Sequence, residues 1–193
     1  MKIIFATHNP YKVQEVKKLL KAPFEITSLA ELNDHEDIPE PYETLQENAL
    51  HKARVVYERY QQIVIAEDTG LEVMDLNNAP GVYTARYAGE EATSDQNMSK
   101  LLRNLKDKNN RNAQFRTVAA LFINGESLIF EGILKGDIPQ KAQGTQGFGY
   151  DPIFVPSGHQ RTLAEMTAVE KNNISHRSIA FGKLSKYLSE KYI

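Results

Sequence analysis

The chain has no cysteine, which removes disulfides, thiol nucleophiles and thiolate-bound zinc and agrees with a reducing compartment. It also lacks any run approaching the roughly 20 consecutive apolar residues of a membrane-spanning helix. The N-terminal run Ile3-Ile4-Phe5-Ala6 is too short for the apolar region of a signal peptide. A cytoplasmic protein with no membrane partner is therefore expected. Charge of one sign is scarce as well. With a formal net charge of −2 there is no surplus of Lys and Arg to neutralise a phosphate backbone, so no nucleic-acid partner is expected. A few cations gathered in one place would still serve a single triphosphate. Internal repeats and low-complexity tracts are absent. The 193 residues, 41% of them hydrophobic, suffice for one domain over 1–193, with room for two lobes.

The stretch around which the rest is organised is Ile63-Val64-Ile65-Ala66-Glu67-Asp68-Thr69-Gly70. Its apolar, largely β-branched start predicts a strand buried on both faces, and two adjacent carboxylates stand at its expected exit. Their repulsion and desolvation are relieved by a divalent cation or a cationic partner, and hard Mg²⁺ favours carboxylate oxygens. The plainer alternative is a solvated loop start capped by Thr69.

Lys2 to Ala6 predicts a first buried strand, followed by Thr7-His8-Asn9-Pro10-Tyr11-Lys12 and a helix with Val13, Val16, Leu19 and Leu20 on one side. A helix N-terminus carries unpaired N–H groups and positive dipole, so Thr7, Asn9 and Lys12 suffice to complete an anion site there. The Walker glycines and Lys-Ser/Thr pair are missing, and Thr7 and Asn9 are equally suited to capping. Phe24 to Ser28 reads as a short strand and Leu29 to Tyr42 as an acidic, proline-containing loop. Thr44-Leu45-Gln46-Glu47 has the form of a capping box opening a helix to about Tyr60, on which Lys52 projects toward the cleft or, by default, toward water. A separate strand is expected over Leu71 to Leu76, turned by Asn77-Asn78, and an irregular loop over Ala79 to Gly89. A capped helix is expected from Thr93 to Leu105. Phe115 to Ile123 and Leu128 to Leu134 predict a hairpin through Asn124-Gly125. Three glycines then bracket Phe148 and Tyr150, where an aromatic ring is free to stack on a flat base or, in the alternative, to tuck into the core. Thr167 to Glu170 forms a further capping box. Lys171, His176 and Arg177 follow on a helical region ending near Tyr192, with a break expected near Asn172-Asn173.

Thr7-x-Asn9-x-x-Lys12, Glu67-Asp68-Thr69-Gly70-Leu71, Ala79-Pro80-Gly81, Ala85-Arg86-Tyr87, Gly147-Phe148-Gly149-Tyr150-Asp151-Pro152 and Glu170-Lys171-x-x-x-Ser175-His176-Arg177 occur in that order. On these motifs, which span essentially the whole chain, the sequence resembles the inosine/xanthosine triphosphate pyrophosphatases, which hydrolyse deaminated purine nucleoside triphosphates. The resemblance implies an α/β fold, an elongated mixed β-sheet with flanking helices and two lobes around a central cleft. It also implies a homodimer, a Mg²⁺ requirement, and cleavage to a monophosphate and pyrophosphate.

Carried over by motif, the segment Thr7, His8, Asn9, Pro10, Tyr11 and Lys12 would hold the phosphates. Asp68 would be metal ligand and general base, and Thr69 would touch the nucleotide. Phe148, Gly149, Tyr150 and Asp151 would wall the base and sugar, and Lys171, His176 and Arg177 would read the base edge. The second metal-binding acid matches Glu40, with Glu43 as the fallback. Rival readings are a related pyrophosphatase for other modified nucleotides and a nucleotide-binding protein without catalysis.

Overall fold

Ile3, Ile4 and Phe5 are buried one after another, as a strand covered on both faces requires. In the computed structural model, which describes residues 1–192, they belong to β1 (Lys2–Phe5). This strand pairs in parallel with β2 (Glu25–Ser28) on one side and β3 (Val64–Val73) on the other. Between β1 and β2 runs α1 (Pro10–Leu19), with Asn9 as its N-cap and Pro10 in the first turn, where a missing N–H does no harm. Between β2 and β3 runs α2 (Leu45–Tyr60), which turns Leu45, Ala49, Ala53 and Val56 inward.

β3 departs from the sequence expectation. It is one ten-residue strand that continues past Ala66, so Glu67 and Asp68 lie in its middle and not at its exit, and Met74–Leu76 form a 3-10 turn instead of strand. Leu71 and Val73 continue the buried pattern past the acids, which keeps the chain extended. The turn falls at Asn77 and Asn78, both left-handed (φ 53° and 63°), a conformation asparagine tolerates. In the following irregular loop, β4 (Pro80–Gly81) pairs antiparallel with β3.

After α3 (Ser94–Asn104), opened by a complete capping box at Thr93, come β5 (Asn112–Ile123) and β6 (Glu126–Asp137). They are longer than expected and joined by Asn124 and Gly125 at φ 52° and 80°, the positive pair a two-residue hairpin of matching twist needs. β7 (Val155–Pro156) pairs antiparallel with β6. The chain ends in α4 (Ala168–Ile174) and α5 (His176–Tyr192). The helix break lies at Ser175, extended at ψ 150°, and not at Asn172-Asn173. Ser175 stands immediately before α5, the N-cap position that serine favours. The capping box expected at Thr44 is half formed: Glu47 N–H donates to Thr44 Oγ1, but the Glu47 carboxylate takes the Thr44 hydroxyl.

Among the described residues the strands form one seven-stranded mixed sheet in the order β2-β1-β3-β5-β6-β7, with β4 on β3. The residues divide into two compact units, each discontinuous in sequence. The first comprises 1–68, 117–132 and the chain from 177 onward; the second comprises 69–116 and 133–176. The first has a core of Phe5, Val16, Leu20, Ile65, Leu121 and Leu184, closed by Phe181 edge-on to Phe5 at 5.8 Å. The second packs Leu71, Leu101, Leu105, Phe115, Ile153 and Phe154. Among the described residues no helix is long and apolar enough to cross a membrane.

Candidate active site

In the first unit, the parallel register of Phe5 with Ile65 brings the loop leaving β1 level with the acidic pair of β3. Successive strand residues point to opposite faces, and the two acids have different partners. Glu67, 1% exposed, receives Arg177 Nε and Nη2 at 2.8 and 2.9 Å and Lys12 Nζ at 3.1 Å. The remaining Arg177 nitrogen, Nη1, donates to Glu15 at 2.6 Å. Burial alone would push the Glu67 carboxyl up, but the charges of Arg177 and Lys12 outweigh it and hold the group well below the usual carboxylate range. Burial would likewise lower Arg177, and the facing carboxylates raise it instead. Removing either partner of such a pair strands a buried charge, a loss of about 3–5 kcal/mol.

The anion site expected at the start of α1 is altered. Asn9 Oδ1 accepts the N–H groups of Tyr11 and Lys12 at 3.0 and 3.3 Å, and Thr7 Oγ1 accepts that of Asn9 at 3.2 Å. Two donors that a phosphate would have used are therefore spent on the cap, and the Lys12 ammonium is the cationic feature that remains. Pro10 is in the first turn, the Tyr11 ring is 53% exposed, and His8 donates from Nε2 to the Asp34 carbonyl at 3.0 Å.

Asp68 meets a different cation. Lys52 of α2 lies 3.8 Å from Asp68 Oδ1 and is in direct hydrogen-bonded contact with Glu40. Glu40, rather than the exposed Glu43, is thus the acid that joins Asp68. Lys52 itself corrects the expectation that it faces water: it is buried. Its helical position, seven residues after Leu45 and four after Asn48, lies on the buried stripe of α2, a signal present in the sequence. The donor set fits a hard divalent cation. Two carboxylates already bracket a positive charge, and Mg²⁺ characteristically takes one or two carboxylates and fills its octahedron with water and substrate phosphate. Among the described residues no group of three or more His, Asp or Glu side chains is placed to hold a metal.

In the second unit, Lys171 Nζ donates to Asp151 Oδ2 at 2.6 Å and lies 4.7 Å from the centre of the Phe148 ring. The same carboxylate oxygen accepts the Phe148 N–H at 2.8 Å. Gly147 (φ 77°) is required there, since a Cβ would run into Asp151 Oδ2. Phe148 and Gly149 are half-buried. Tyr150 corrects its expected role as base wall. Its ring is 3% exposed within the core and its hydroxyl donates to the Thr84 carbonyl at 2.8 Å, because a phenol can bury its ring once its hydroxyl finds an acceptor. Burial also pushes its hydroxyl pKa up. His176 is stacked on Phe115, with centroids 4.6 Å apart and planes at 17°. Thr69 is half-buried in β3. The trio Lys171, His176 and Arg177 is divided, the first two belonging to this unit and Arg177 to the other.

Three residues of the first unit went unnoticed in the sequence. Glu15, Asp34 and Arg59 carry no motif, and only the fold shows that Arg177 meets Glu15 and Arg59 meets Asp34.

The model of the Ham1 family matches residues 3–187. A dITP/XTP pyrophosphatase of Christiangramia forsetii is 50% identical over 98% of this chain and 100% of its own length. One of Bacillus subtilis is 46% identical over 96% of each. Among solved structures, a Ham1 protein of Coxiella burnetii superposes with a TM-score of 0.91 at 39% identity, covering 98% of this chain and 99% of that one. The Staphylococcus aureus Ham1 protein gives 0.90 at 35%, covering 99% and 100%.

Proposed function

The chain belongs to the Ham1 family, and from that premise we propose that it hydrolyses deaminated purine nucleoside triphosphates, dITP, ITP and XTP, to the monophosphate and pyrophosphate. Relatives named for dITP/XTP pyrophosphatase activity over nearly their full lengths support the reading. The observation that carries it is the meeting of Glu40 and Asp68 at Lys52, with Lys12 on the neighbouring acid of the same strand.

In this reading Lys12 neutralises phosphate charge, and Thr7 and Asn9 shape the loop that presents it. Glu40 and Asp68 would hold Mg²⁺, which when bound would supply charge neutralisation on the phosphates and a water of lowered pKa. Asp68, 5% exposed, orients the attacking water and takes its proton. Arg177 is reassigned from base reading: its nitrogens are directed to Glu67 and Glu15, so it holds Glu67, which in turn holds Lys12. Thr69 touches the nucleotide. Phe148 offers the face on which the purine stacks, and Asp151 orients Lys171. Lys171 and His176 then donate to a 6-keto oxygen. Adenine's amino group would leave those donors unsatisfied, which is how the site rejects it. The family resemblance extends the proposal to a homodimer acting in the cytoplasm, which sizing against the 21.8 kDa chain tests.

Pyrophosphate release from a panel of nucleoside triphosphates, with and without Mg²⁺, is the deciding experiment. Release from dITP, ITP and XTP that depends on Mg²⁺ and far exceeds release from ATP is expected. Equal rates with ATP, or no release at all, would overturn the proposal.

A further inference from the structure

Between Asp34 and Tyr42 the chain has neither helix nor strand, yet this segment carries Glu40. Helix α2 fastens it at three places. Arg59 Nη1 and Tyr60 Oη donate to Asp34 Oδ2 at 2.6 and 2.9 Å. Lys52 binds Glu40. The Asn48 amide exchanges two hydrogen bonds with the backbone of Tyr42, at 3.0 and 3.1 Å. As the segment advances from residue 34 to 40 to 42 its partners step back along the helix from 59 to 52 to 48, so the two run antiparallel.

Chain length does not set the position of Glu40. Seven helical residues from Lys52 to Arg59 rise about 10 Å, whereas six extended residues from Asp34 to Glu40 can reach about 20 Å. The anchors must therefore do it.

Asp34 is the upstream anchor and uses every polar group it has. Its Oδ1 accepts the Glu36 N–H at 3.1 Å, its N–H donates to the Leu29 carbonyl at 2.9 Å, and its own carbonyl accepts from His8 at 3.0 Å. Arg59 adds a second contact to the segment, with Glu36 Oε2 at 3.2 Å. Burial would raise the Asp34 carboxyl, but Arg59 and Tyr60 outweigh it and keep it below its ordinary value, so it stays an acceptor.

We propose that Asp34 is a positioning residue for the divalent-cation site: held by Arg59 and Tyr60, it sets where Glu40 stands and thereby the affinity for the cation. The proposal rests on the reading of Glu40 and Asp68 as the metal-holding pair. It adds a group that touches neither metal nor substrate and joins the loop after β1, through His8, to the acidic segment.

The test titrates the full-length, chelator-stripped protein with Mn²⁺ in the absence of nucleotide, followed by water-proton relaxation. It is paired with the Mg²⁺ dependence of pyrophosphate release from ITP. Asp34→Asn is expected to weaken Mn²⁺ binding and raise the half-saturating Mg²⁺ concentration about tenfold, the usual range for a group that orients a ligand. Turnover at saturating Mg²⁺ should stay within about twofold, since the reacting groups are untouched. Tyr60→Phe, which keeps the Arg59 pair, should shift both readouts the same way by less, and it decides the matter if Asp34→Asn does not fold. Unchanged Mn²⁺ affinity in the folded variant overturns the proposal alone. Lost turnover that saturating Mg²⁺ does not restore also overturns it. A wild-type protein that neither binds Mn²⁺ nor cleaves ITP overturns the functional reading with it.

Discussion

The charged groups of the candidate site are assembled in different ways in the two units. In the first, they form branched clusters: Lys12 and Arg177 on Glu67, Glu15 on Arg177, and two carboxylates, Glu40 and Asp68, around the single ammonium of Lys52. In the second, one lysine faces one aspartate beneath an aromatic ring. A cluster with two carboxylates to one ammonium has negative charge to offer an added cation, and a lysine beside it suits the anion that travels with that cation. A one-to-one pair presents oriented donors with little net field, which suits an uncharged, flat heterocycle. The difference teaches that in this molecule the balance of charge, more than its amount, distinguishes the group expected to bind phosphate and metal from the group expected to bind the base.

Asp68 is where that contrast breaks most completely. Asp68→Asn keeps the side-chain shape and removes the charge, and pyrophosphate release from ITP should fall about 10³-fold while the thermal transition of the protein is retained. Normal Mg²⁺-dependent turnover by this variant would take Asp68 out of the mechanism.

Glu67→Gln should cost stability, about 3–5 kcal/mol by urea unfolding at neutral pH, because Arg177 and Lys12 lose their shared buried counter-charge. The sign of its pH dependence follows from the lowered folded pKa. The contribution is complete above the ordinary value of 4.5 and is lost as pH falls through the lower folded value. The gap between wild type and variant should therefore narrow progressively below pH 4.5. A gap that widens on acidification would mean that Glu67 is not the charged partner the geometry makes it.

The second unit sharpens the contrast with smaller effects. Lys171→Ala should reduce the preference for ITP over ATP about tenfold to a hundredfold, the worth of a desolvated donor that finds no acceptor. Unchanged discrimination would place base recognition elsewhere. Thr167→Ala removes the cap of the helix that presents Lys171 and should cost about 1 kcal/mol in thermal or urea unfolding, with Mg²⁺ dependence unaltered. A large change in Mg²⁺ dependence would mean that this cap does more than hold its own helix.

Much of this is legible in the sequence. The run of β-branched residues up to Glu67, the Asn-Gly hairpin and the capping boxes at Thr93 and Thr167 declare themselves because strand burial, positive φ and orphan helix N–H groups are local demands met by local residues. The Tyr150 ring shows the limit. A glycine-rich surround permits exposure and burial alike, and the choice fell to the Thr84 carbonyl, a partner 66 residues away in sequence. The uninterrupted β3 is a similar case, since two carboxylates and a glycine suggest a strand's end only when the strands beside it are unknown.

By itself the sequence determined most of the helices and the hairpin, the family and which residue types would matter, because periodicity, caps and ordered motifs are written at short range. Only the tertiary structure decided the pairings: Lys52 turned into Glu40 and Asp68 instead of water, Arg177 drawn onto Glu67 from 110 residues away, and Asp34 fastened to the end of α2. A charged side chain states its need for a counter-charge at every position in a sequence, but which counter-charge meets it inside the protein depends on which distant segments the packed core brings within about 4 Å, where a low dielectric makes the pairing strong enough to hold.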